Sequence, residues 1–210
     1  MSRRVWIFDL DDTLHDASAH IFPVMNRAMT QYIVDELRMS EHDAQRLRQH
    51  YWRIYGATLK GLVRHHGVDP HHFLSQTHDF MDLPNMVKQR QRLRHLIRGL
   101  QGRKVIFTNA PKRYAMKVLE ILGIADLFEL VFSVESTQFH PKPSVRGFRQ
   151  LLRSLRANAA DCVMLEDNPQ ALMTAKRLGM KTILITQQLK KPCYVDQRLS
   201  DVLALTRYHI

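Results

Sequence analysis

Five short apolar runs recur along the chain: Val5–Phe8, residues 104–107, residues 130–134, residues 161–165 and Lys181–Ile185. Each is apolar nearly throughout and rich in Val, Ile or Phe, without the in-out alternation of a half-exposed strand. That is the pattern of strands covered by helices on both faces. Between the later runs the apolar positions change to helical spacing. Tyr114, Val118, Leu119 and Leu122 make one stripe, Val145, Phe148, Leu152 and Leu155 a second, and Leu172, Ala175 and Leu178 a third, with Gly179 placed to end the helix. Strand and helix patterns in alternation predict an α/β fold built on a doubly wound parallel sheet.

The first run stands apart, because roughly ninety residues follow it with no strand pattern among them. Helical composition predicts Ile21–Leu37, Glu41–Tyr55, residues 62–66, 70–79 and 83–100, punctuated by Gly56, Gly67 and the DLPN stretch. An all-helical insertion after the first strand would stand over the carboxyl edge of the sheet, where open α/β folds bind ligands. The expected division is a core of residues 1–14 and 101–210 and a small helical cap of residues 15–100.

Polar residues of a particular kind close the strand runs. Asp9 and Asp11 follow the first, and a rigid strand end would present both carboxylates on one side. One can attack phosphorus while the other handles protons. Thr108 and Asn109 follow the second run, with Pro111 suited to a first helical turn; a hydroxyl, an amide and free backbone N–H groups make a phosphate cradle. Lys142 lies between Pro141 and Pro143, which stiffen the backbone around one cation. Glu166 and Asp167 end the fourth run, and adjacent carboxylates there call for a compensating cation, most economically magnesium. Singly, each has an ordinary explanation: an acidic turn, a helix cap, a surface lysine.

In this order the four signals resemble the motifs of the haloacid dehalogenase (HAD) superfamily of phosphotransferases, carried here by DLDDT, TN, the lysine of HPKP and the ED of LEDN. The resemblance implies that Asp9 is the nucleophile and a magnesium ligand. It makes Asp11 the general acid and base, with its backbone carbonyl on the metal. Thr108 and Lys142 would hold the transferring phosphoryl group, and Asp167 would ligate magnesium with Glu166 close by or sharing that task. Dehalogenases of the superfamily lack the second aspartate, so Asp11 favours phosphate monoester hydrolysis through an aspartyl phosphate.

The stretch YWRIYGATLKGLVRHHGVDP, residues 51–70, is similar to the cap of the pyrimidine 5′-nucleotidase branch, and residues 108–128 are similar to the same branch. That likeness implies a nucleoside monophosphate substrate, UMP or CMP, with Asn109, Arg53, Tyr55 and Lys60 as contacts. Tyr51 and Tyr55 also share a helix face and suit packing. Glu166 departs from the paired aspartates of the branch. Two other readings remain open: a phosphatase or mutase for another small phosphoester, such as a sugar phosphate or pyridoxal phosphate, and a nucleic-acid-binding protein with a vestigial site.

Charge narrows these only slightly. A net charge of +11 and a pI near 10.0 draw phosphate esters and nucleic acid alike. No helix-turn-helix, zinc-finger or aromatic RNA-binding pattern accompanies the charge, so long nucleic acid is the lesser expectation. The basic residues Lys88, Arg90, Arg92, Arg94 and Arg98 lie opposite Leu93 and Ile97 and suit a solvated helix face. His65, His66, His71 and His72 lack the spacing of a zinc site. The 2 cysteines make no disulfide framework, and the opening MSRR with its four apolar residues is cut off by Asp9 before a leader could form. No apolar run approaches a membrane span, and a cytoplasmic location is expected.

Overall fold

A computed structural model describes residues 4–88 and 90–207; the ends of the expected core at 1–3 and 208–210 lie outside the described residues. The strands are β1 (Val5–Phe8), β2 (Arg103–Phe107), β3 (Leu130–Phe132), β4 (Cys162–Glu166), β5 (Lys181–Ile185) and β6 (Gln197–Leu199). They form one parallel sheet in the order β3-β2-β1-β4-β5-β6. The helices are α1 (Ile21–Leu37), α2 (Glu41–Tyr55), α3 (Thr58–His66), α4 (Pro70–Thr77), α5 (Leu83–Met86), α6 (Gln91–Gly99), α7 (Lys112–Ile121), α8 (Val145–Leu155) and α9 (Pro169–Arg177).

β1 is buried along its whole length because its side chains alternate between two apolar clusters. Trp6 and Phe8 join Ile106, Leu165 and Ile183 on one face, under α6 and α7. Val5 and Ile7 join Val105, Phe107 and Met164 on the other, under α8 and α9. Covering both faces is what makes the strands apolar throughout. Full burial of a side chain such as Phe148 contributes about 2–3 kcal/mol.

The chain runs from β1 outward through β2 to β3, then returns to the opposite flank of β1 to lay down β4, β5 and β6. The reversal opens a crevice between β1 and β4 at their carboxyl ends, the position where such sheets bind ligands. Phe8 pairs with Leu165 in register, so Asp9 and Glu166 emerge beside each other.

Helices α1 to α4 enclose a third cluster of Tyr32, Ile33, Tyr51, Leu62 and Phe73, closed by Val134 from the loop after β3. Gly61 is needed within it, since a Cβ there would fall 2.2 Å from Tyr51 Cγ. The later part of the insertion packs differently. Leu83 of α5 and Leu93, Leu96 and Ile97 of α6 bury against the sheet with Phe8 and Ile106.

Several local readings change. The helix expected over residues 83–100 is two helices, because Val87 takes an extended conformation and its side chain is 3% exposed. β4 runs one residue further than its apolar pattern, Glu166 pairing with Leu184 as a true strand residue. β6 carries no apolar run, its Gln and Arg being half-buried at the sheet edge. Among the described residues no helix is long and apolar enough to cross a membrane.

Candidate active site

Asp9 leaves β1 with its N–H donating to the Leu165 carbonyl at 2.9 Å, which holds the first residue after the strand in sheet geometry. The turn that follows is fixed by Asp12, whose φ of 60° is left-handed. Its Oδ1 accepts from the N–H groups of Ala17 and Ser18 at 2.9 and 2.8 Å, the local bonding that lets aspartate tolerate this conformation.

Lys142 reaches the same point from the loop before α8. Its Nζ donates to Asp9 Oδ1 at 2.6 Å and to Glu166 Oε2 at 2.5 Å, and it lies 5.3 Å from the centre of the Phe107 ring. The lysine is 4% exposed. Asn109 fixes its backbone from both sides: Asn109 Nδ2 donates to the Lys142 carbonyl at 3.0 Å, and the Lys142 N–H donates to Asn109 Oδ1 at 2.7 Å. Thr174 on α9 adds a bond from its hydroxyl to the Pro143 carbonyl. The cap also touches this loop, since a Cβ on Gly56 (φ +74°) would lie 3.2 Å from Pro143 Cδ.

Asp9, Glu166 and Asp167 each bring a carboxylate oxygen within 4.8 Å of the others. Burial, and then the charge of Glu166, push the Asp9 carboxyl up to about 7 despite Lys142. Burial likewise pushes Glu166 to about 7, against the pull of Lys142. Asp167 rises to about 6, through burial and then Asp9. Burial opposes the charge on Lys142 as well, but the attraction of Asp9 and Glu166 outweighs it and holds the ammonium above the ordinary lysine range. With all groups ionised, three negative charges face one positive. Oxygen donors with surplus negative charge in a buried crevice fit a hard divalent cation such as magnesium.

The remaining expected residues fall in different places. Thr108 is buried, and its Oγ1 accepts from the Ala110 N–H at 3.0 Å, which leaves the hydroxyl proton free to donate elsewhere. Asp11 accepts the Tyr114 hydroxyl at 2.7 Å, and His15 Nε2 lies 2.9 Å from the same oxygen. Asn109, read from sequence as a substrate contact, has its amide engaged by the Lys142 backbone. Tyr55 hydrogen-bonds His65 Nε2 at 2.6 Å, and Arg53 is exposed. The basic face of α6 is partly neutralised, Arg94 pairing with Asp126 at 2.6 Å and the preceding Arg90 with Asp201.

Three side chains of this site do more than the motifs imply. Glu166, expected beside the metal ligand or sharing its task, also binds Lys142 directly. Adjacent carboxylates calling for a compensating cation are the signal for it. Tyr114 belongs to an apolar stripe at helical spacing, and nothing in that spacing marks its hydroxyl. His15 lies four residues after Asp11, close enough to have been weighed with it.

A family model for haloacid dehalogenase-like hydrolases matches residues 6–185. Phosphate metabolism protein 8 of Saccharomyces cerevisiae is 28% identical over 200 residues, 87% of this chain and 61% of that protein, so the chain spans less than two thirds of this relative. Pyrophosphatase PpaX of Bacillus mycoides is 20% identical over 213 residues, covering 95% of this chain and 94% of that one. Among solved structures, a HAD phosphatase from Thermococcus onnurineus superposes with a TM-score of 0.68 at 17% identity, over 97% of this chain and 96% of the other. The last likeness is one of fold.

Proposed function

This chain belongs to the haloacid dehalogenase-like hydrolases, and we propose that it hydrolyses phosphate monoesters with Asp9 as nucleophile and Asp11 as acid and base. The observation that carries this reading is the buried Lys142 ammonium held between Asp9 and Glu166 at the β1–β4 crevice. A fixed cation beside a fixed carboxylate, where the sheet topology opens, suits an anionic substrate attacked by that carboxylate.

Phosphate monoesters resist hydrolysis because a dianion repels a nucleophile and an alkoxide departs poorly. Lys142 meets the first difficulty by offsetting charge on the phosphoryl oxygens, and Thr108 donates a hydrogen bond from its free hydroxyl to one of them. Asp9 then forms an oxygen–phosphorus bond as the ester bond breaks, and Asp11 gives its proton to the departing oxygen. In the second half Asp11 takes a proton from water as that water attacks the aspartyl phosphate, releasing phosphate and restoring Asp9. Asp9, Glu166 and Asp167 would hold magnesium, with the Asp11 carbonyl as the family's further ligand; the ion supplies neutralisation of phosphoryl charge.

For the substrate, the cap sequence supports a pyrimidine nucleoside 5′-monophosphate, UMP or CMP, cleaved to nucleoside and phosphate. Gly56 of the cap lies against Pro143, so the α2–α3 turn, with Tyr55 and Arg53 just before it, stands near the lysine loop. The reading carries with it a cytoplasmic site of action on small metabolites. A panel of nucleotides, sugar phosphates and pyridoxal phosphate, assayed for phosphate release with magnesium, tests it. UMP and CMP are expected to lead; rapid turnover of a sugar phosphate with negligible turnover of every nucleotide would overturn the substrate assignment.

A further inference from the structure

Two buried side chains converge on a single oxygen of Asp11. The Tyr114 hydroxyl donates to Asp11 Oδ1 at 2.7 Å, and His15 Nε2 approaches the same atom at 2.9 Å. Tyr114 and His15 are 1% and 3% exposed. The other ring nitrogen, His15 Nδ1, is buried with no hydrogen-bond partner among the described residues. A proton on Nδ1 would therefore point at no acceptor, whereas a proton on Nε2 points at Asp11. The fitting tautomer makes His15, like Tyr114, a donor to Oδ1. Asp11 Oδ2 has no protein partner among the described residues.

We propose that Tyr114 and His15 are positioning residues for proton transfer, saturating Oδ1 of Asp11 so that the transferred proton is carried on Oδ2. An sp² oxygen that accepts two hydrogen bonds has both lone pairs engaged, and the proton binds the other oxygen. The inference rests on the proposed role of Asp11. As the bond between Asp9 and phosphorus forms and the ester bond breaks, the Oδ2 proton passes to the departing oxygen. Asp11 is left a carboxylate and the product a neutral alcohol.

The cap's return segment holds Tyr114 in place. His78 and Phe80 pack edge-on against its ring, with centroids 6.2 and 6.1 Å away. Asp79, between them, pairs with Lys117 at 2.9 Å and Arg113 at 3.2 Å on α7, the helix that carries Tyr114. The side chain that orients the proton donor is thus anchored by the segment through which the chain leaves the cap.

The test compares kcat/KM for an alkyl phosphate, whose leaving oxygen needs a proton, with that for p-nitrophenyl phosphate, whose phenolate leaves without one. This ratio covers the steps up to release of the alcohol or phenol and leaves out later hydrolysis of the intermediate. Tyr114→Phe, which keeps the ring, and His15→Leu are expected to lose about tenfold or more on the alkyl ester and less than about threefold on the aryl ester. His15→Gln, which keeps an N–H near the Nε2 position, is expected to retain the wild-type ratio. Equal loss on both esters, or loss on neither, overturns the positioning role. Failure of wild type to hydrolyse either ester, or full activity in Asp9→Asn, overturns the phosphatase reading itself and this inference with it.

Discussion

Lys142 and Asp9 stand 133 residues apart in the chain and meet in a buried ion pair 2.6 Å long. Neither group could be buried alone, and the pair exists because the sheet returns to β1 after laying down β3. Lys142→Met would leave Asp9 and Glu166 facing each other without their cation. Removing one partner of a buried pair costs about 3 kcal/mol, and that loss is expected in urea unfolding at neutral pH. The deficit should shrink in acid as the two carboxyls take up protons.

The raised carboxyls give stability a defined pH dependence. Asp9 and Glu166 titrate near 7 in the fold and Asp167 near 6, against about 4 unfolded. Between those values the folded state binds more protons than the unfolded one, so metal-free stability falls as pH rises through this window. His78 acts oppositely: burial lowers it to about 4, so its contribution is complete above the ordinary histidine value and is lost as pH falls toward 4. The increment in Tm on adding magnesium isolates the carboxylates. It should be larger at about pH 8 than at about pH 5, because cation binding requires the ionised forms. Equal increments in a thermal scan would contradict the cluster's role.

Cap packing gives a third test. A Cβ at Gly61 would strike the Tyr51 ring, itself held by a 2.8 Å hydrogen bond between its hydroxyl and His66 Nε2. Gly61→Ala is expected to destabilise by about 1–3 kcal/mol, as overpacking does. The unfolding midpoint in urea reads this directly.

Much of the core was legible because the sheet is buried on both faces. Val5–Phe8 and Lys181–Ile185 have no alternation to misread, and both are strands to the residue. β6 escaped because three residues reading Gln-Arg-Leu at an edge need no apolar run. Periodicity shows that α6 has an apolar face but not which neighbour it meets; Leu93 and Ile97 bury against the sheet, while Leu62 and Phe73 build the cap's own cluster. In the site, the motif order drew attention to Asp9, Asp11, Lys142 and Asp167. The amide of Asn109 and the hydroxyl of Tyr114 were not legible as supports of Lys142 and Asp11, because a hydrogen bond across the fold leaves no spacing in the chain.

In the proposed reaction the phosphoryl group passes through Asp9. A single turnover with phosphate-labelled substrate in magnesium, quenched in acid and mapped by peptide mass spectrometry, reads this transfer on the protein itself. Phosphate covalently attached to Asp9, absent in Asp9→Asn, is the predicted result. Product formation with no label on Asp9, across quench times spanning the turnover, or with label on another residue, would rule out Asp9 as the nucleophile.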